Sequence, residues 1–378
     1  MRQHTHLHTV CTALLVVVSV WGAGYLILMG VRQIEILSYV RDILYSDSYP
    51  SDTVPLHQSL PKIIARAVIS PAELTIMIGG DIMLDRKIRS LGEKNGYDSL
   101  FASLASLFEK ADIAVANLEG PITEYPSKTL IGGSFTKELT FTFATSTAMA
   151  LHRSGIDIVS LANNHTDNFG LEGFNQTQYW LQTVGIEYFG NPWNGTSTSL
   201  RTRNLIADTD STKKFIENSE YSSPIATVIT QNDIRIAFVG YHQFQRGSDK
   251  VIAEIKRVAT IDTFVIVMPH WGEEYSPTPS EGQKKLARAF IDAGADAIIG
   301  AHPHVIMDHE IINGVPVYYS VGNLLFDQYF SPEVMKGNII ELQLVQGSDV
   351  PKLDKVMVHE THLDRVKGVT LVGEYADK

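Results

Sequence analysis

Short apolar runs of strand length, several ending in acid, amide or imidazole side chains, recur from Leu74 onward. LTIMIGG (74–80) runs into Asp81, and DIAVANLE (112–119) carries Asn117 and Glu119 at its end. DIVSLANNH (157–165) ends in Asn163, Asn164 and His165, and FVIVMPH (264–270) ends in His270. ADAIIGAHPH (295–304) ends in His302 and His304, and VPVYYSVGN (315–323) ends in Asn323. Continuous β-branched runs of this kind are strands covered on both faces. Between them, Leu286 with Phe290 and Ala287 with Ile291 share helical spacing, which predicts a helix through 284–294 stopped by Gly294. The stretch 227–240 predicts a β-hairpin turning at Asn232-Asp233. The mixture implies an α/β domain with sheet interiors and covering helices. In open α/β sheets, ligands bind beyond the carboxyl ends of the strands, so these polar ends are expected to converge on one rim.

Asp81, Glu119, Asn164, His270, His302 and His304 would supply carboxylate oxygen, amide oxygen and imidazole nitrogen there. A mixed N/O set without thiolate suits Zn, Mn or Fe rather than a structural cysteine site. Six protein ligands are too many for one tetrahedral catalytic ion and about right for two divalent metal ions sharing a bridging carboxylate and water. Such a pair polarises an ester oxygen, generates hydroxide near neutral pH and steadies an in-line transition state. His165 then stands as the general acid for the leaving group. Each residue alone has an ordinary explanation. An Asp after a strand is usually a turn or cap, Asn-Asn-His is a hydrogen-bonding turn, and His270 a satisfied core histidine. His302-Pro303-His304 is the sharpest piece: extended backbone, favoured for His302 by Pro303, would point both imidazoles the same way. The ordinary explanations account poorly for all these residues occurring together in one chain.

The rest of the chain bounds the setting. From Val10 to Val31 no charged residue occurs across 22 positions. As a helix this run spans roughly 33 Å, enough for a hydrocarbon core of about 30 Å. A single N-terminal transmembrane helix at 10–31 is therefore expected, after a short tail at 1–9. A cleaved signal peptide would have a shorter apolar region and a small-x-small site. Arg2 precedes the span while Arg32 and Arg41 follow it, so charge counting does not favour an external C-terminus. Residues 32–72 read as a juxtamembrane linker, with a short helix around Ile34 to Leu44 and the polar, proline-bearing SDSYPSDTVP at 46–55. A single large domain is expected over 73–376. The net charge of −11 lacks the basic footprint of a nucleic-acid binder. Cys11 is the only cysteine and excludes an intrachain disulfide.

The blocks GGDIMLDR (79–86), ANLEGPIT (116–123), SLANNHTDN (160–168), HWGEEYSPTPSEGQ (270–283), GAHPHV (300–305) and YSVGNLLFDQ (319–328) resemble, in order, the CapA/PgsA capsule-synthesis family. That family belongs to the metallophosphoesterase superfamily. The resemblance implies a four-layer α/β/β/α sandwich. It aligns Asp81 with the first metal-binding aspartate, Glu119 with the bridging carboxylate, and Asn164 and His165 with the ligand and catalytic histidine of an Asn-His motif. It aligns His270 with a lone histidine after a strand, and His302 and His304 with the terminal His-x-His pair. Arg86, Asn117, Asn163 and Glu273 lie in the same blocks and are supporting or substrate-binding candidates. The sequence departs from the superfamily where Met83 replaces the histidine of Asp-x-His, where Glu119 replaces an aspartate, and where Asn163 replaces a glycine. Ala301 stands where the capsule family commonly has histidine. The implied role is synthesis or export of poly-γ-glutamate at the outer face of a bacterial cell membrane, beside synthetase or export subunits. Two other readings keep the same residues: a non-catalytic module that grips the anionic polymer, and an extracellular phosphodiesterase or nucleotidase unrelated to capsule.

Overall fold

Leu74, Ile76 and Ile78 of β1 (Glu73–Ile82) enter one apolar layer while Met77 and Ile82 enter another. A strand with no polar alternation is thus covered on both faces, as its composition requires. The computed structural model describes residues 72–131, 134–194, 202–204, 225–347 and 350–377. Residues Ser70–Lys378 form one compact unit. The expected transmembrane helix at 10–31, the helix near Ile34 to Leu44 and most of the linker lie outside the described residues. Among the described residues no helix is long and apolar enough to cross a membrane.

After β1 come α1 (Arg86–Asn95), β2 (Ile113–Leu118), α2 (Ser146–Arg153), β3 (Ile158–Ser160), α3 (Gly170–Thr183) and β4 (Glu187–Phe189). Next are β5 (Thr202–Asn204), β6 (Ala226–Gln231), β7 (Ile234–His242), α4 (Ser248–Val258), β8 (Thr263–His270) and α5 (Glu281–Asp292). They are followed by β9 (Ala297–Ile299), β10 (His309–Ile312), β11 (Val315–Tyr318) and β12 (Asn323–Leu325). The last strands are β13 (Lys336–Gln346), β14 (Pro351–Asp364) and β15 (Gly368–Ala376). One sheet runs β15-β14-β13-β1-β2-β3-β4, with β12 also on β1. The other runs β10-β11-β9-β8-β7-β6-β5. In each sheet the strands that carry the polar ends are parallel: β1, β2 and β3 in the first, and β7, β8 and β9 in the second.

Three apolar clusters fix the layering. Ile76, Val115 and Ile340 of the first sheet share a cluster with Ile236, Phe238 and Ile266 of the second, so the sheets pack face to face. Ile88, Leu151, Phe174 and Leu181 carry α1, α2 and α3 onto the outer face of the first sheet. Val251, Ile255, Ala287 and Phe290 carry α4 and α5 onto the outer face of the second. The order is helix, sheet, sheet, helix. The helix expected over 284–294 is α5, which begins earlier because Ser280 and Gln283 form a reciprocal capping box. The expected hairpin is β6–β7: Asn232 and Asp233 both have positive φ, 50° and 61°, which the two-residue type I′ turn demands.

The run 315–323 is not one strand. The chain leaves the second sheet after Tyr318 and joins the first at Asn323, so it stitches the sheets together beside the polar rim. Gly80 permits this: a Cβ there would lie 1.9 Å from the Gly322 carbonyl oxygen. At the same place β1 changes neighbour, pairing with β13 through Ile78 and with β12 from Asp81.

Candidate metal centre

Strand register sets the site. Asp81 is paired with Asn117 on one side and Asn323 on the other, and His270 is level with His242 and bridges to Ala301. Two sheets packed face to face thus bring their carboxyl-terminal polar ends to one place. Glu119, one residue beyond β2, is fully buried, and neither carboxylate oxygen has a hydrogen-bond partner. Its Oε1 lies 3.7 Å from His304 Nε2, 3.8 Å from His270 Nε2 and 4.0 Å from His165 Nε2. Two ligands about 2.1 Å from a common tetrahedral ion are about 3.4 Å apart, so these separations suit a cation between them better than a proton. Among the described residues, two groups place one ligand atom each within 4.8 Å of one another: Glu119 with His302 and His304, and Asp81 with Glu119 and His270. Glu119 belongs to both.

The surrounding polar atoms are short of protons. Asn117 Nδ2 donates to Asp81 Oδ1 at 2.7 Å and meets His270 Nδ1 at 3.2 Å. Asn164 Oδ1, at 2.8 Å, and His302 Nδ1, at 3.1 Å, both crowd His270 Nε2, which has at most one proton to share. His304 Nδ1 lies 3.0 Å from Asn323 Oδ1 and 3.2 Å from Asp81 Oδ2. Burial, then the neighbouring Asp81 charge, pushes the Glu119 carboxyl well above its usual range. Burial holds His270 well below the ordinary imidazole value and His302 near 4. His270 and His302 are thus held in the neutral form that ligates metal, and the anionic form of the donorless Glu119 carboxyl is the form a divalent ion at this place would stabilise. The donor set therefore fits a metal.

The remaining sequence candidates separate. His165 is largely buried; its Nδ1 lies 3.2 Å from Asn168 Oδ1, its ring packs on Phe141, and burial lowers it to about 4. Arg86 pairs with Asp327 and lies over the Phe141 and Phe326 rings. Its charge reaches both Glu119 and His165. Asn163 is fully buried and faces no open space. Its Oδ1 accepts from the His165 and Thr166 amides and the Thr166 hydroxyl, and its Nδ2 donates to Leu118 O and Asn117 Oδ1. It shapes the loop that presents Asn164 and His165 and is closed to a substrate. Glu273 is exposed, and the acid whose charge acts on Glu119, His165 and His302 is its neighbour Glu274. Trp271 is core: its Nε1 donates to Tyr319 O at 2.8 Å and its ring stacks on Phe290 and Tyr319.

His302 and His304 reach the site by a different backbone from the extended one expected. Their φ angles are 97° and 59°, in the left-handed region that non-glycine residues rarely adopt. The local preference imposed by Pro303 is overridden by tertiary contacts, including the His302 amide donating to Asp81 Oδ2 at 3.2 Å. Asn323, expected at the rim as a strand end, meets His304 there, whereas Asn168 and Asp327 lie inside quoted blocks without a signal of their own and show their part only through contacts with His165 and Arg86.

Residues 75–328 match the family model for the bacterial capsule synthesis protein PGA_cap. The PGA biosynthesis protein CapA of Bacillus subtilis (strain 168) is 29% identical over 257 residues, covering 66% of this chain and 62% of that protein. The capsule biosynthesis protein CapA of Bacillus anthracis is 27% identical over 275 residues, covering 68% and 60%. A probable polyglutamine synthesis accessory protein of Mycobacterium tuberculosis is 25% identical over 297 residues, covering 68% and 76%. The chain thus spans about three-fifths of the length of the two Bacillus relatives. Among solved structures, a hypothetical protein from Thermus thermophilus aligns with a TM-score of 0.44 at 15% identity, covering 76% of this chain and 99% of that one. The calcineurin-like phosphoesterase YfkN from Bacillus subtilis aligns with a TM-score of 0.43 at 14% identity, covering 77% and 90%. Because the family model covers most of the chain, from the first strand through Gln328, the chain belongs to the bacterial capsule synthesis protein PGA_cap family.

Proposed function

We propose that this chain is a metal-dependent phosphoesterase-type hydrolase serving synthesis or export of a polyglutamate capsule polymer. The reading places it at the outer face of a bacterial cell membrane, anchored by residues 10–31, beside synthetase or export subunits. The observation that carries the chemistry is Glu119, buried, without a hydrogen-bond partner and ringed by imidazole nitrogens. Asp81, Glu119 and His270 would hold one divalent ion, and Glu119, His302 and His304 a second, with Asn164 beside His270 as a further ligand. A bound pair of that kind supplies Lewis acidity at an ester oxygen and activates water near neutral pH.

The chain's own residues do the remaining work. Arg86, held by Asp327, is the fixed cation for an anionic ester. Asn168 engages His165 Nδ1, so Nε2 faces the centre and is the atom that exchanges a proton with the leaving group. Burial keeps that imidazole neutral in the free protein, and an anionic ester arriving beside it favours the charged, proton-donating form. The test is cleavage of a phosphodiester and a phosphomonoester by the metal-reconstituted full chain, beside a His302→Ala/His304→Ala variant. Turnover lost in the variant supports the hydrolase. Metal retention without turnover on either ester contradicts it and favours the polymer-gripping module, a reading consistent with the word accessory in the mycobacterial relative's name.

A further inference from the structure

The loop after β8 turns back over the centre, and Tyr275 is its strained residue. Its φ is 64°, a conformation that is an outlier for a bulky side chain and persists where surrounding contacts over-determine it. The Tyr275 amide donates to Pro303 O at 2.8 Å, on the residue between His302 and His304. That clasp sets the ring beside His304, with centroids 6.2 Å apart, and edge-on to Phe330 at 5.1 Å. Hydrogen bonds also run outward from the centre to the phenol. His304 Nδ1 meets Asn323 Oδ1 at 3.0 Å, Asn323 Nδ2 donates to Gln328 Oε1 at 3.1 Å, and Gln328 Nε2 donates to the Tyr275 hydroxyl oxygen at 3.3 Å. Tyr275 nonetheless stays 43% exposed. A packing tyrosine would be buried, and a surface tyrosine has no need of a left-handed backbone, a clasp and a hydrogen-bond relay. Holding an exposed polar group this firmly is the arrangement of a preorganised binding contact.

We propose that Tyr275 contacts substrate directly, its hydroxyl donating a hydrogen bond to a phosphoryl oxygen of the anion held at the metal centre. This rests on the reading that the centre binds metal and a phosphoester. In the free protein the hydroxyl oxygen accepts from Gln328 Nε2, while burial and the neighbouring Glu274 keep the phenol protonated, so its proton is available to a bound anion. Nearby Glu119 and Arg86 both act on the phenol, which puts it within electrostatic reach of the centre and of the cation proposed to bind the anion.

The experiment is calorimetric titration of inorganic phosphate into the metal-reconstituted full chain. It compares wild type, Tyr275→Phe, and Tyr125→Phe as a second exposed tyrosine that stacks on Phe169. The Tyr275→Phe change keeps the ring and its packing. Its phosphate Kd is expected to rise about 10-fold or more, the range of a hydrogen bond to a charged group, with metal content unchanged and Tyr125→Phe like wild type. Equal phosphate affinity in Tyr275→Phe and wild type overturns the inference, as does a loss of bound metal or folding in Tyr275→Phe, which would mark a structural role. A wild type that takes up no metal defeats the underlying reading itself, and the metal analysis run before each titration separates that failure from the others.

Discussion

Glu119 is costly for the metal-free protein and useful for the loaded one. Its folded-state pKa is raised above the ordinary 4.5, so the folded chain keeps a proton that the unfolded chain releases. The stability associated with this group is therefore intact below about pH 4.5 and is lost as pH rises through the folded-state value. Glu119→Gln removes that loss. In metal-free protein the variant is expected to match wild type near pH 4.5 and to exceed it at pH 7.5 by about 1–3 kcal/mol, the cost of an unsatisfied buried polar group. Thermal melts at both pH values check this, and a variant less stable than wild type at pH 7.5 contradicts it. His165 and His302 act in the opposite sense. Held near 4, they stay neutral in the fold while the unfolded chain takes up protons below about 6.5, so their contribution falls as pH drops from 6.5 towards 4. Both proteins share that trend, and it cancels in the comparison.

The loops after the strands are as constrained as the strands. Asn163 makes five hydrogen-bond contacts from a fully buried position, holding the turn that presents Asn164 and His165. Asn163→Ala is expected to cost about 2–4 kcal/mol in urea denaturation, since several buried groups lose their partners together. A cost under about 0.5 kcal/mol would show that the loop holds without it. In the β6–β7 hairpin, Asp233→Gly is expected to stabilise by about 0.5 kcal/mol, because glycine takes the positive φ of that turn position without strain. Asn232 must stay, as its side chain bonds Glu73 O and Asp112. Strands β1, β2 and β8 and the hairpin were legible because apolar runs and turn chemistry are local signals. The break in 315–323 was not, since a run of apolar residues looks the same whether it serves one sheet or crosses between two. The left-handed His302 and His304 were hidden too: tertiary contacts, including the His302 amide to Asp81, outweigh the local preference of His302-Pro303. Glu274 and Tyr275 escaped because adjacent polar residues on a loop differ only in where the backbone aims them.

At the scale of the molecule, two face-to-face sheets bring residues more than 200 positions apart, such as Asp81 and His302, into hydrogen-bonding distance. The β1–β12 pairing, with the stitch from β11, locks the two sheets together beside the centre. The net charge of −11 opposes long-range capture of any polyanion, so in the proposed function recognition of an anionic partner would be local, through Arg86 and the candidate metal centre. In the proposed function two divalent ions share Glu119. Elemental analysis of the purified, metal-reconstituted full chain, beside Glu119→Gln, counts them. About two equivalents of Mn, Fe or Zn per wild-type chain are expected, with loss of both sites' tight binding in the variant. A folded wild type that retains no metal after reconstitution, or a Glu119→Gln protein that holds as much as wild type, would contradict that sharing.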